Sequence, residues 1–69
     1  MKILLIEDHE ELAAQLGDFL GSLGWYIDFS STGQRGIALA LEHEYDLIIL
    51  DLNLPDIDGT EVCKEIKSK

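Results

Sequence analysis

Two short and entirely apolar runs, each closed by acidic residues, constrain the fold of this chain more than any other feature. Ile3–Ile6 ends at Glu7 and Asp8, and Leu47–Leu50 ends at Asp51. Continuous apolar runs of about four residues fit strands that are covered on both faces, as the strands of parallel sheets are. The two runs therefore predict a parallel sheet with carboxylates at the ends of two of its strands.

The segment between the runs has the periodicity of an amphipathic helix, predicted from about Glu10 to Leu23. Gly24 stands where a helix C-cap is expected. Asp8 and Glu11 have the spacing of a capping box at the start of the helix, which makes Asp8 a candidate cap. The apolar stripe of this helix consists of Leu12, Leu16, Phe19, Leu20 and Leu23.

Three further segments complete an alternating order of strands and helices. Trp25–Phe29 alternates as a half-exposed edge strand does, and a turn follows it. A second helix is indicated by apolar positions around Ile37, and a third by Val62 and its neighbours, after a loop that contains Pro55 and Gly59. The order β-α-β-α-β-α predicts an α/β fold, a three-stranded parallel sheet of order 2-1-3 with right-handed crossovers and helices on both faces.

In that strand order, Glu7, Asp8 and Asp51 meet at the topological switch point, where such sheets bind ligands. Carboxylates that crowd together either take up protons or hold a cation, and oxygen-only ligands are those that Mg²⁺ prefers. The plainer interpretation is that each acid only ends a strand or caps a helix. A calcium-binding EF-hand loop starting at Asp51 is excluded, because Pro55 occupies its fifth position and Val62 its twelfth.

Composition narrows the possible partners. The chain has 14 acidic residues against 5 lysines and arginines, a net charge of −9, so this segment is not expected to bind nucleic acid. Its apolar runs are too short for an export signal or a membrane span. The single Cys63 excludes an internal disulfide and fits a reducing compartment, so we expect a cytoplasmic protein.

Both acid-ended runs, taken with the residues that follow them, closely resemble the receiver domain of bacterial two-component response regulators. The matching segments read ILLIED at positions 3–8 and LIILDLNLPDIDG at positions 47–59. The second segment is similar to the subfamily of transcriptional regulators that carry a winged-helix output domain. The resemblance implies a flavodoxin-like (CheY-like) fold and a phosphorelay function.

The resemblance also implies roles for individual residues. Asp51 would be the phosphoacceptor, taking a phosphoryl group from the phosphohistidine of a sensor histidine kinase. Mg²⁺ would be held by Asp8, Asp51 and the backbone carbonyl of Asn53, with Glu7 acting through a metal-bound water. A receiver of this kind is a signalling module, and we do not expect a conventional enzyme.

The chain departs from the family pattern in its extent. A complete receiver has five strands and five helices, so residues 1–69 are interpreted as a partial receiver domain, its first three βα units, without an output domain. The third strand would then be an exposed apolar edge, which predicts a homodimer or a higher oligomer. The alternative function is a phosphorylation-incompetent half-domain that only self-associates through that edge; metal-dependent hydrolysis is a third candidate.

Overall fold

The computed structural model describes residues 1–67, and within them strands and helices alternate as the sequence predicts. The elements are β1 (Lys2–Ile6), α1 (Glu10–Ser22), β2 (Tyr26–Ser30), α2 (Gly33–Glu42), β3 (Leu47–Leu50) and α3 (Gly59–Lys67). Within residues 1–67, no helix is long and apolar enough to cross a membrane.

The three strands form one parallel sheet of order β2-β1-β3, which confirms the predicted order. The carboxyl ends of the strands are in register, because Ile6 pairs with Ser30 on one side and with Leu50 on the other. Backbone pairing continues one residue further. The Glu7 N–H donates to the Ser30 carbonyl and the Asp51 N–H donates to the Ile6 carbonyl, each at 2.9 Å. This pairing fixes the backbone from which the acids project.

The two apolar strands differ in how much of their side-chain surface is buried. All four residues of the first run, Ile3–Ile6, are at most 1% exposed, as expected of a strand covered on both faces. The second run, Leu47–Leu50, is only partly buried, and Leu47 is 43% exposed, because β3 lies at an edge of the sheet. The prediction that both faces are covered therefore holds for β1 and not for β3. On one side of the sheet, Leu4 and Ile6 pack with Val62 and residues of α2 in a single apolar cluster.

The apolar stripe of α1 is largely uncovered by the rest of residues 1–67. Leu20 is the buried residue of this helix, whereas Leu12, Phe19 and Leu23 are between 41% and 63% exposed. Periodicity correctly predicted the helix. It also led us to expect a core-facing stripe, and the described part of the chain buries only a fraction of it.

Asp8 does not cap α1, so the predicted capping box is wrong. The N-cap is His9, whose side chain makes no capping hydrogen bond. A different local hydrogen bond, made by the preceding acid, is present instead. The Glu7 carboxylate accepts the His9 N–H at 3.2 Å, and the helix begins one residue later, at Glu10.

Other element boundaries differ from the predictions by one or two residues. The C-cap of α1 is Leu23, and the predicted helix-ending Gly24 follows it with a φ of +83°, a conformation that glycine adopts without strain. β2 begins at Tyr26 rather than at Trp25. Gly59, predicted to lie in a loop, is the first residue of α3.

Candidate metal centre

Three carboxylates converge at the carboxyl ends of β1 and β3. Glu7 and Asp8 follow β1 and Asp51 follows β3, and one oxygen from each lies within 4.8 Å of the other two. Glu7 and Asp51 are partly buried, whereas Asp8 is exposed. The three acids that the sequence placed together from strand order alone are thus neighbours in the structure.

The pKa values of the two partly buried acids shift in opposite directions. Burial raises the pKa of the Glu7 carboxyl, and a hydrogen bond to Asp51 raises it further, although the His9 N–H opposes the shift. The pKa of Asp51 is lowered, chiefly because the Asn53 N–H donates to its carboxylate at 3.0 Å and secondly by its hydrogen bond with Glu7. Asp51 is therefore the acid of this pair that stays ionised as the pH falls.

The donor set fits a hard divalent cation. The cluster consists of carboxylates alone, without nitrogen or sulfur ligands, and its atoms are close enough together to share one ion. Asn53, the fourth residue implied in metal binding, is exposed and lies two residues after Asp51. Its N–H donates to the Asp51 carboxylate at 3.0 Å, and its backbone carbonyl is the ligand that the resemblance to receiver domains implies.

Gly59 permits a close approach between the start of α3 and the backbone that carries Asp51. A Cβ on Gly59 would collide with Cα of Leu52 and would lie 2.8 Å from the carbonyl oxygen of Asp51. The Gly59 N–H donates to the Leu52 carbonyl at 3.2 Å. A glycine at this position therefore lets α3 pack directly beside the acidic cluster.

Asp56, in the same loop, makes two hydrogen bonds to a distant helix, and the sequence interpretation did not single it out. Its two carboxylate oxygens accept the Gly33 N–H at 2.8 Å and the Gln34 N–H at 2.9 Å. These bonds lower the pKa of Asp56, with the Gln34 N–H contributing most. The sequence carries only a weak signal for this role of Asp56, because an acid in a turn between Pro55 and a helix can have many other roles.

Other polar residues stand outside the cluster. His9 is exposed at the start of α1, and Arg35 is exposed on α2. Cys63 is a partly buried free thiol on α3.

A three-stranded parallel sheet of order 2-1-3, with carboxylates at its switch point, defines an α/β domain of the flavodoxin-like class. Comparison with known families then gives a specific assignment. Residues 3–69 match the response regulator receiver domain. The chain belongs to this family.

Curated relatives support the assignment and show how much of them the chain represents. Response regulator ArlR of Staphylococcus aureus is 44% identical over 68 residues, a match that covers 99% of this chain and 31% of ArlR. The chain thus spans about a third of the length of the curated relatives that it matches.

Solved structures of response regulators and receiver domains have the same fold as this chain. The response regulator TrrA of Thermotoga maritima, solved in complex with Mg²⁺-BeF, is 33% identical and superposes with a TM-score of 0.93, over 97% of this chain and 58% of TrrA. The receiver domain of sensor histidine kinase PA1611 of Pseudomonas aeruginosa, with magnesium coordinated in its active site cleft, is 31% identical. Its TM-score is 0.95, over 99% of this chain and 56% of that domain.

Proposed function

We propose that this chain is the metal-binding and phosphate-accepting portion of a receiver domain, with Asp51 as the phosphoacceptor. The observation that carries the proposal is the convergence of Glu7, Asp8 and Asp51 within 4.8 Å at the ends of adjacent strands. Similarity to TrrA and to the PA1611 receiver, which were both solved with magnesium, supports the choice of Mg²⁺ as the cation.

In this proposal the metal ligands are Asp8, Asp51 and the backbone carbonyl of Asn53, with Glu7 acting through a water molecule. Bound Mg²⁺ would neutralise negative charge on the oxygens of the incoming phosphoryl group. The chain's own residues prepare the nucleophile. The Asn53 N–H restricts rotation of the Asp51 carboxylate and lowers its pKa, so an ionised oxygen is available for attack.

The transfer itself is a displacement at phosphorus. A carboxylate oxygen of Asp51 forms a bond to the phosphorus of a phosphohistidine as the P–N bond breaks, and the imidazole leaves with that electron pair. The product is an acyl phosphate on Asp51. The chain accepts a group in this step and is itself modified, which is why it is described as a signalling module and not as an enzyme.

The partners follow from the same proposal. The phosphoryl donor would be a sensor histidine kinase, and the longer protein would be a transcriptional regulator with a winged-helix output domain, in keeping with the similarity to ArlR. This segment would not contact nucleic acid itself, because its net charge is −9. A lone cysteine fits a cytoplasmic location.

A second candidate function is self-association, and exposed apolar surface on two elements favours it. Leu47 on the edge strand β3 is 43% exposed, and Phe19 on α1 is 63% exposed. Among the described residues, no strand pairs with the outer edge of β3. Two copies joined along β3 would extend the sheet and bury apolar surface, which makes a homodimer or a higher oligomer through this edge part of the proposal.

Phosphoryl transfer from a small phosphodonor in the presence of Mg²⁺ tests the main proposal. We expect the wild-type chain to gain one phosphoryl group and an Asp51→Asn variant to gain none. Transfer that persists in the variant would contradict the assignment of Asp51.

A further inference from the structure

The loop between β3 and α3, residues 51–58, carries two of the proposed metal ligands, Asp51 and Asn53. Its first residue is fixed by the sheet, because the Asp51 N–H donates to the Ile6 carbonyl. Within the loop, the Leu52 carbonyl accepts the Gly59 N–H at 3.2 Å, and the carboxylate of Asp56 accepts the N–H groups of Gly33 and Gln34. Asn53 lies between Leu52 and Asp56, so its position depends on both contacts.

The contact made by Asp56 reaches a distant part of the chain. Gly33 and Gln34 are the first two residues of α2 and precede Asp56 by 23 and 22 residues. N–H groups in the first turn of a helix have no partner within the helix, and the helix dipole favours a negative charge there. Hydrogen bonds from such groups to a carboxylate are stronger than those between neutral groups.

Apolar packing reinforces the contact between α2 and the loop. Gly33 is buried, and a Cβ at this position would overlap Ile57 and would lie 2.8 Å from Val62 and 3.3 Å from Leu54. The first turn of α2 therefore rests directly on side chains of the loop and of α3.

Asp56 is not the N-cap residue of α2, because Thr32 occupies that position. The N-cap is Thr32, whose hydroxyl accepts the Arg35 N–H at 3.2 Å. Asp56 differs from Thr32 in one respect: it belongs to the loop that carries Asp51 and Asn53. The contacts of Thr32 and Asp56 can therefore be removed one at a time, and only the contact of Asp56 involves the loop.

We propose that Asp56 is a positioning residue that couples the metal site to the N-terminus of α2. It holds the loop in the conformation in which Asn53 and Asp51 can bind a cation together, so that less ordering is required when Mg²⁺ binds. By thermodynamic linkage, Mg²⁺ must strengthen the Asp56–α2 contact by the same factor as that contact strengthens Mg²⁺ binding. This inference rests on the proposed function, since it assumes that the acidic cluster binds Mg²⁺.

Calorimetric titration with Mg²⁺ tests the coupling in two variants that each remove one of these contacts. We expect Asp56→Ala to weaken Mg²⁺ binding by about fivefold or more, the lower end of typical coupling between sites. Thr32→Ala is the matched control, because it also weakens the helix end but leaves the loop contact intact, and its affinity should equal that of the wild type. Equal affinities in all three proteins, or equal losses in the two variants, would overturn the proposal.

Conservative replacement separates positioning from general loss of structure. Asp56→Asn keeps one carbonyl oxygen that can accept an N–H, but its amide nitrogen cannot replace the second acceptor. We expect its Mg²⁺ affinity to lie between those of the wild type and Asp56→Ala. An Asp56→Asn affinity as low as that of Asp56→Ala would contradict a role for the retained hydrogen bond.

Amide hydrogen exchange on the wild-type chain tests the reciprocal effect without any variant. Saturating Mg²⁺ should slow exchange at Gly33 and Gln34 by about fivefold, the same factor as above. Exchange at Arg35, whose N–H is held by Thr32, should change less. Unchanged exchange at Gly33 and Gln34 would overturn the coupling, whereas a wild-type chain that does not bind Mg²⁺ would instead refute the proposed function.

Discussion

Replacing a single glycine tests how tightly the acidic cluster is built, and the chain supplies its own control. Gly59→Ala adds a methyl group that would collide with Cα of Leu52 and would lie 2.8 Å from the Asp51 carbonyl oxygen. Those atoms are backbone and cannot move aside without shifting Asp51 itself. Gly21→Ala makes the same chemical change on α1, where nothing lies within 4 Å of the new carbon.

The two substitutions should have opposite effects on stability. Overpacking of this kind costs about 1–3 kcal/mol, so Gly59→Ala should lower the free energy of unfolding. Alanine in place of an unhindered helical glycine stabilises by roughly 0.5–1 kcal/mol, so Gly21→Ala should raise it. Only Gly59→Ala should also weaken Mg²⁺ binding, because it displaces the backbone of Asp51.

Urea unfolding of wild type and both variants, followed by circular dichroism at one protein concentration, measures the free energies. Magnesium titration of the same samples measures the effect on the site. If Gly59→Ala were as stable as Gly21→Ala and bound Mg²⁺ like the wild type, the close packing of α3 against Asp51 would be refuted.

Two further predictions concern the edge of β3 and the contact between Tyr45 and Asp28. Leu47→Lys, on the exposed edge of β3, should shift the chain from oligomer to monomer in sedimentation velocity. Tyr26→Lys, on the opposite edge strand, should leave the oligomer unchanged. A folded wild-type monomer at micromolar concentration would contradict self-association. Burial, together with a 2.6 Å hydrogen bond that the Tyr45 hydroxyl donates to Asp28, raises the pKa of Tyr45 to about 12. Because this folded-state pKa exceeds the ordinary value of 10.0, the associated stability is present below pH 10 and is lost as the pH rises towards 12. Asp28→Asn should lower the pKa of Tyr45 in an NMR titration of its ring. An unchanged pKa would show that the hydrogen bond to Asp28 does not contribute to the shift.

Local pattern and strand order were sufficient to predict the fold and the acidic cluster. Two apolar runs identified the strands β1 and β3, and the rule that parallel strands meet at their carboxyl ends brought Glu7, Asp8 and Asp51 together. Each step depends on short-range periodicity followed by topology. The structure confirms the strand order and places the three acids side by side.

Features that depend on three-dimensional packing could not be predicted in the same way. Asp8 matched a capping pattern, but a competing local hydrogen bond between Glu7 and the His9 N–H accompanies a later helix start. The attachment of Asp56 to α2 joins residues more than twenty positions apart through a loop whose shape no local pattern specifies. The exposed edge of β3 was predicted correctly, but from the strand order and from the resemblance to a longer receiver, because periodicity within a strand does not report its neighbours.

Measurement of intact mass after incubation with acetyl phosphate and Mg²⁺ tests the central claim most directly. The samples are wild type, Asp51→Asn and Asp18→Asn, the last of which removes an exposed acid of α1 that is not one of the three clustered carboxylates. We predict that wild type and Asp18→Asn each gain the mass of one phosphoryl group and that Asp51→Asn gains none. A folded wild-type chain that gains no mass, or an Asp51→Asn variant that gains it equally, would contradict the assignment of Asp51 as the phosphoacceptor.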